Sequence, residues 1–117
     1  MERQQNIPIL KVGSNLIVSI QIELTDLMVE KLQYQILQEI QQKGANGVII
    51  DVSGIEVIDS FAARSIINAA RMAKFLAAKT IVVGIKPEIA ITLVEMGFSW
   101  TGVSTAMNLE HALEILR

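Results

Sequence analysis

Two apolar runs, GVIIDV at 47–52, whose one polar residue is Asp51 near its end, and TIVVGI at 80–85, constrain the fold of this chain more than any other feature of its sequence. Neither run alternates apolar with polar residues, so neither reads as a strand with one face in water. A short continuous run of this kind is what a parallel strand covered on both faces requires. The intervening stretch, 61–77, places Ala62, Ile66, Ala69, Ala73 and Leu76 at helical spacing, with small residues that let a helix lie close to a sheet. Parallel strands joined through a helix need a crossover, and such crossovers are right-handed. The pattern therefore predicts an α/β fold.

The flanking segments extend the pattern. Residues 7–12 are extended around Pro8, which suits an edge strand or a strand start, and Gly13-Ser14-Asn15 supplies a turn. Residues 16–23 alternate, with Leu16, Val18, Ile20 and Ile22 on one face, which predicts a half-buried strand paired as a hairpin with the first. Thr25 is placed to cap a helix, with Leu24 and Val29 as its hydrophobic staple and Val29, Leu32, Ile36, Leu37 and Ile40 as its buried stripe. Lys43 and Gly44 supply its end. Pro87 starts a third helix reaching Glu95, with Ile89, Ala90, Leu93 and Val94 inward and Gly97 as its stop. A short strand is expected near 100–103, with Met96, Phe98 and Trp100 packing the sheet end. Asn108 then caps a last helix bearing Leu109, Ala112, Leu113 and Leu116. Together these give one domain over 1–117, a mixed and mostly parallel β-sheet with about four packed α-helices.

Composition narrows the function classes. Ten basic against twelve acidic side chains, a formal charge of -2, leave no basic footprint for a nucleic-acid partner. The absence of cysteine excludes disulfides, thiolate zinc sites and cysteine nucleophiles, and histidine chemistry would rest on His111 alone. The chain is 51% apolar, yet Arg71, Lys74 and Lys79 interrupt its longest apolar stretch, which falls short of the roughly 18 uncharged residues of a membrane span. The first residues, MERQQNIPIL, lack the apolar core of a secretory signal. A cytoplasmic domain, without membrane attachment, is expected.

Most candidate reactive groups have a plainer reading. Neither glycine-rich phosphate motif occurs, and Gly44-Ala45-Asn46-Gly47 reads as a helix stop before a strand, so no nucleotide cofactor is expected. Asp51 and Asp59 could approach each other and offer oxygen ligands to a hard cation. A receiver-type site would want a further acidic pair, however, and 16–24 supplies only Glu23; a strand-end aspartate more often caps a turn, and no metal is expected. His111, beside Glu110 and Glu114, reads as a helix surface residue.

The remaining candidate is Asp59-Ser60-Phe61, where Ser60 stands at or next to the N-cap of the 61–77 helix. One reading makes Ser60 a cap worth about 1 kcal/mol. The other makes it a phosphoacceptor, because a helix N-terminus offers unpaired amides and a positive dipole end to an anion. A phosphate there adds about -1.5 to -2 charge, favoured by the helix end by about 0.3–1 kcal/mol. Arg64, one turn along, is a phosphate contact, and Asp59 opposes it. A partner docked over the hydroxyl would meet an anion, at a cost of several kcal/mol.

Around this dipeptide the sequence resembles the STAS domain family, of the anti-sigma-factor antagonist type and its stressosome branch. The likeness runs through IPILKVGSNLIVSIQIELTD from Ile7, GANGVIIDVSGIEVIDSFAAR from Gly44 and GIKPEIAITLVEMG from Gly84. The resemblance implies a binding protein rather than an enzyme, with Ser60 as the phosphorylated residue and Asp59 as its motif neighbour. It implies co-assembly with RsbR-like STAS proteins in a large hetero-complex, with homo-oligomer formation. It further implies retention of an RsbT-like serine kinase that leaves on phosphorylation, and a serine phosphatase that resets the system. Two alternatives stand beside it: a constitutive scaffold or ligand-binding STAS domain with Ser60 only a cap, and an enzyme with Ser60 as nucleophile and His111 as its base.

Overall fold

The two apolar runs are neighbouring parallel strands at the centre of a five-stranded sheet in a computed structural model, which describes residues 7–21, 25–97 and 103–117. The strands are β1 (Ile9–Val12), β2 (Asn15–Ser19), β3 (Gly47–Asp51), β4 (Lys79–Val83) and β5 (Ser104–Ala106), in spatial order β1-β2-β3-β4-β5. The β1–β2 hairpin is antiparallel and every other pairing is parallel. In the register, Ile49 faces Ile17 and Ile81, while Ile50 faces Val18 and Val82. Sequential strand order means that α1 (Asp26–Lys43), α2 (Ser60–Phe75) and α3 (Pro87–Glu95) each carry the chain one strand along.

Both sheet faces are covered, which is why the central strands could not afford polar alternation. Leu16, Val18, Val48, Ile50 and Val82 join the buried sides of α1, α2 and α3 in the larger core. The intervening residues Ile49, Ile81 and Val83 turn the other way and pack with Ala112 of α4 (Leu109–Leu116). Successive strand residues point to opposite faces, so a strand with two cores needs an apolar residue at every position.

Helix ends follow the chemistry of their sequences. Thr25 Oγ1 accepts from the Met28 amide at 3.3 Å, and Asn108 Oδ1 accepts from the His111 amide at 2.9 Å. Gly44 takes φ 63°, and its amide donates to the Ile40 carbonyl at 2.9 Å, which closes α1. Between the helices, Gln33 Nε2 of α1 donates to the Ser65 carbonyl of α2 at 2.8 Å.

Four expectations need correction. Met96, expected to pack the sheet end, is 44% exposed at the C-cap of α3. Val94 is 78% exposed and Ala90 is also exposed, because α3 has nine residues and presents only the narrow Ile89–Leu93 stripe to the core. Leu76 is exposed because α2 ends at Phe75; Leu76 occupies the C-cap, where helical spacing no longer sets direction. The last strand is Ser104–Ala106, downstream of the expected 100–103. Residues 98–102, including Phe98 and Trp100, lie outside the described residues, as do Ile22, Glu23 and the staple residue Leu24.

This topology sets the location of the site. Since β2, β3, β4 and β5 are parallel, their C-terminal ends share one edge of the sheet, and α1, α2 and α3 all begin from it. The start of α2, following the central strand, lies between the other two.

Candidate functional site

The chain leaves β3 through a turn fixed by Asp51, whose Oδ1 accepts from the Ser53 amide at 2.9 Å and from Ser53 Oγ at 2.7 Å. A carboxylate that binds its own backbone two residues on is a turn former, so Asp51 does what its strand-end position suggested. Val52 extends the sheet by donating to the Val83 carbonyl at 3.0 Å, and Ile55 donates back to the Val52 carbonyl at 3.0 Å. The turn is held from both sides. At Gly54 a Cβ would lie 3.0 Å from Gln21 Cα, and at Gly84, with φ +79°, it would lie 2.6 Å from Ser53 Cβ. At Gly84 only glycine allows the approach, and at Gly54 a side chain would press the Gln21 backbone.

Beyond the turn, Ile55 and Ile58 are buried and pin the loop to the larger core, while Glu56 and Val57 face outward. Asp59 follows in extended conformation, φ -85° and ψ 171°, and its Oδ1 accepts from the Ala62 amide at 2.7 Å. Its carbonyl accepts from the Ala63 amide at 3.0 Å. Asp59 is therefore the N-cap of α2, and Ser60 is its first helical residue. This corrects the reading of Ser60 as a structural cap: the capping oxygen belongs to its neighbour.

What remains at this helix end is an exposed Ser60 hydroxyl and the Ser60 and Phe61 amides, which precede the first intrahelical acceptor and find none among the described residues. Arg64 lies one turn along from Ser60, at the spacing that brings side chains together on a helix surface. Val57 is 65% exposed and Phe61 39% exposed, so apolar surface flanks the hydroxyl before and after it in sequence. Sequence reasoning missed this rim. The Val57-Ile58 pair is equally apolar in sequence, and only the path of the loop decides which member turns outward.

The other candidates are placed apart. Asp51 and Asp59 each hold backbone amides of their own turn or cap. Among the described residues no group of three or more acidic or histidine side chains is arranged to hold a metal ion. His111 lies on α4, across the sheet from α2, and its Nδ1 accepts from the Met107 amide at 3.4 Å. His111 also lines a cavity with Ile85, Leu93 and Val94, between α3 and α4, and Ser60 is not among its lining residues. No helix among the described residues is long and apolar enough to cross a membrane.

A three-layered domain with this strand order and a serine opening the helix after its central strand can be compared with known proteins, and a sequence model of the STAS domain matches residues 6–112. The chain belongs to the STAS family. RsbS of Moorella thermoacetica, solved with a serine-to-glutamate substitution, is 38% identical, with a TM-score of 0.84 over 96% of this chain and 95% of that one. A STAS chain from a structure of the stressosome, described as a signal integration and transduction hub, is 37% identical, with a TM-score of 0.78 over 93% of this chain and 95% of that one. Among curated proteins, the RsbT co-antagonist RsbRA of Bacillus subtilis is 29% identical over 85 residues, which are 73% of this chain but 31% of RsbRA. The chain thus spans about a third of that relative's length. The likeness to stressosome STAS proteins stands on sequence and on fold together.

Proposed function

We propose that this STAS domain is a non-catalytic stressosome component that sequesters an RsbT-like serine kinase and releases it when Ser60 is phosphorylated. The observation that carries the reading is the division of labour at the start of α2. Asp59 supplies the cap, so the exposed Ser60 hydroxyl is free of a structural duty and sits beside two unpaired amides. Those amides and the helix dipole favour an added anion, so the modified domain stays folded. The exposed Val57 and Phe61 supply apolar area for a partner seated over the hydroxyl. A phosphate placed beneath such a partner leaves a charge desolvated and unpaired, which costs several kcal/mol and lowers retention by orders of magnitude.

The relatives support the partners in this scheme: RsbR-like co-antagonists, which share the domain, and the kinase whose name their own description carries. The assembly is a large cytoplasmic hetero-complex with homo-oligomeric contacts, and a serine phosphatase returns Ser60 to its hydroxyl form. In the Moorella relative a serine was exchanged for glutamate, a change that, like phosphorylation, puts negative charge in place of a hydroxyl.

Incubation with the cognate kinase and ATP, followed by mass spectrometric mapping, tests the proposal. Stoichiometric label on Ser60, lost in Ser60→Ala, is the expected result, and label undiminished in that variant rejects it. Kinase retention should fall on phosphorylation and fall partly in Ser60→Asp, which supplies about half the charge. Catalytic turnover lost in both Ser60→Ala and His111→Ala would instead establish the nucleophile reading.

A further inference from the structure

Two helices on the same side of the sheet leave apolar side chains in water, surrounded by charges of opposite sign. The C-terminal half of α2 exposes Met72 and Phe75, and Phe75 is 91% exposed. A phenylalanine so placed takes no part in the core, and large apolar side chains gathered in water mark an interaction surface. Arg71 and Lys74, both exposed, stand beside it. From Ser60 to Phe75 the helix carries no acidic residue, although the whole chain has a formal charge of -2. This half of α2 is therefore a basic, apolar face on an acidic protein.

The outer face of α3 has the opposite character. Ile91 and Val94 are 60% and 78% exposed and lie between the exposed Glu88 and Glu95. No basic residue occurs from Pro87 to Glu95. On a helix of about 3.6 residues per turn, Ile91 falls opposite the buried Ile89–Leu93 stripe, with Glu88 and Glu95 on one flank and Val94 on the other. Among the described residues, none of Arg71, Lys74, Glu88 and Glu95 forms an ion pair.

Charge complementarity names the occupant. The α2 face calls for an acidic surface bearing exposed aliphatic side chains, and α3 of a second copy supplies one. Both helices pack on the larger core, so their outer faces belong to one side of the domain. Within one chain both faces point away from the sheet, and neither can cover the other. A surface that holds both members of a complementary pair can meet its own copy about a two-fold axis, and each contact is then made twice.

We propose that a second copy of this chain docks here, the α2 face of Arg71, Met72, Lys74 and Phe75 on one protomer packing against the α3 face of Glu88, Ile91, Val94 and Glu95 on the other. The pairing deepens the homo-oligomeric part of the function proposed above and rests on that part alone, since it uses neither Ser60 nor the kinase. Two short helix faces offer less than the roughly 800 Å² per partner of a standard interface, so an isolated pair is weak and depends on its charges.

Sedimentation of the full chain, up to millimolar concentration and in low and high salt, tests it. The parent should move reversibly toward twice the chain mass in low salt and back in high salt. Arg71→Glu with Lys74→Glu, and separately Glu88→Lys with Glu95→Lys, should each weaken self-association at least about tenfold, the scale of 1.4 kcal/mol. An equimolar mixture of the two variants should recover it, because every contact again joins opposite charges, and recovery also shows that both variants are folded. A parent that stays monomeric, a variant that associates like the parent, or a mixture no heavier than its components overturns the proposal. Flotation with phosphatidylglycerol–phosphatidylcholine vesicles addresses the other occupant of a basic, apolar face: vesicle binding by a monomeric parent, lost in Arg71→Glu with Lys74→Glu, would assign the face to an anionic membrane and overturn the pairing. Kinase labelling of Ser60 should be unchanged in both variants, and a parent that associates but takes no label rejects the phosphorylation switch while leaving the pairing in place.

Discussion

Replacing Asp59 and Ser60 one at a time separates the structural duty at the start of α2 from the functional one. The 2.7 Å bond from the Ala62 amide to Asp59 Oδ1 is a capping hydrogen bond, and Asp59→Ala removes it together with a negative charge at the positive end of a sixteen-residue helix. Loss of a cap costs typically about 1 kcal/mol. For 117 residues, at about 2.1 cal/mol/K each, the unfolding entropy is about 0.25 kcal/mol/K, so that loss lowers Tm by about 4 °C. Ser60→Ala removes an exposed hydroxyl from the first helical position, where alanine is well tolerated, and the change should stay within about 0.5 kcal/mol, or about 2 °C. Calorimetry and urea unfolding of both variants measure the contrast. A Ser60→Ala protein as destabilised as Asp59→Ala would refute the assignment of the cap, and with it the argument that the Ser60 hydroxyl is available for another purpose.

Two further outcomes follow from the surroundings of the site. Gly84→Ala should cost at least about 2 kcal/mol, because it combines left-handed strain at φ +79° with a Cβ pressed to 2.6 Å from Ser53, whereas Gly97→Ala at φ +76° meets nothing within 4 Å and should cost about 1–2 kcal/mol from strain alone; equal losses in urea unfolding would remove the close approach as an explanation. Val57→Ser should weaken kinase retention while leaving Tm nearly unchanged, since that side chain is 65% exposed, and Phe61→Ser should weaken retention further but also lower Tm, since a residue 39% exposed keeps most of its ring in contact with the protein; undiminished retention of both variants in a pull-down would place the partner elsewhere.

The parts of this fold legible in the sequence were those governed by local physical rules. Continuous apolar runs marked the doubly covered strands, and Thr25, Gly44, Pro87 and Asn108 marked helix ends through capping and fixed backbone angles. What stayed hidden depended on relative orientation. A period of 3.6 names one face of α3 but not its width, so Ala90 and Val94 were assigned inward although only Ile89 and Leu93 reach the core. Asp59 and Ser60 are both good N-caps, and a dipeptide of two capping residues does not disclose which takes the cap. Thr80 shows the same limit from another side: within TIVVGI it reads as an ordinary β-branched strand residue, and only the assembled sheet shows that its hydroxyl is buried beside a cavity without a partner.

The magnitudes also decide where a charge on Ser60 would act. Within the domain, the helix end offers a phosphate about 0.3–1 kcal/mol of stabilisation, and the neighbouring Asp59 carboxylate offsets part of it. The net internal effect is therefore smaller than a single typical core mutation. The opposite side of α2 resists any rearrangement, since Ala63, Ile66, Ala70 and Ala73 are packed in the larger core and Gln33 ties the helix to α1. At an interface the balance reverses, because a desolvated charge left unpaired costs several kcal/mol, nearly an order of magnitude more. A modification with these two energies leaves the fold intact and changes only what the fold can hold. Such a switch needs a residue exposed in the free domain and covered in the complex, and Ser60, between Val57 and Phe61, meets the first condition. Protection of the Ser60 and Phe61 amides from hydrogen exchange when the kinase is bound, and its loss after phosphorylation, would establish the second.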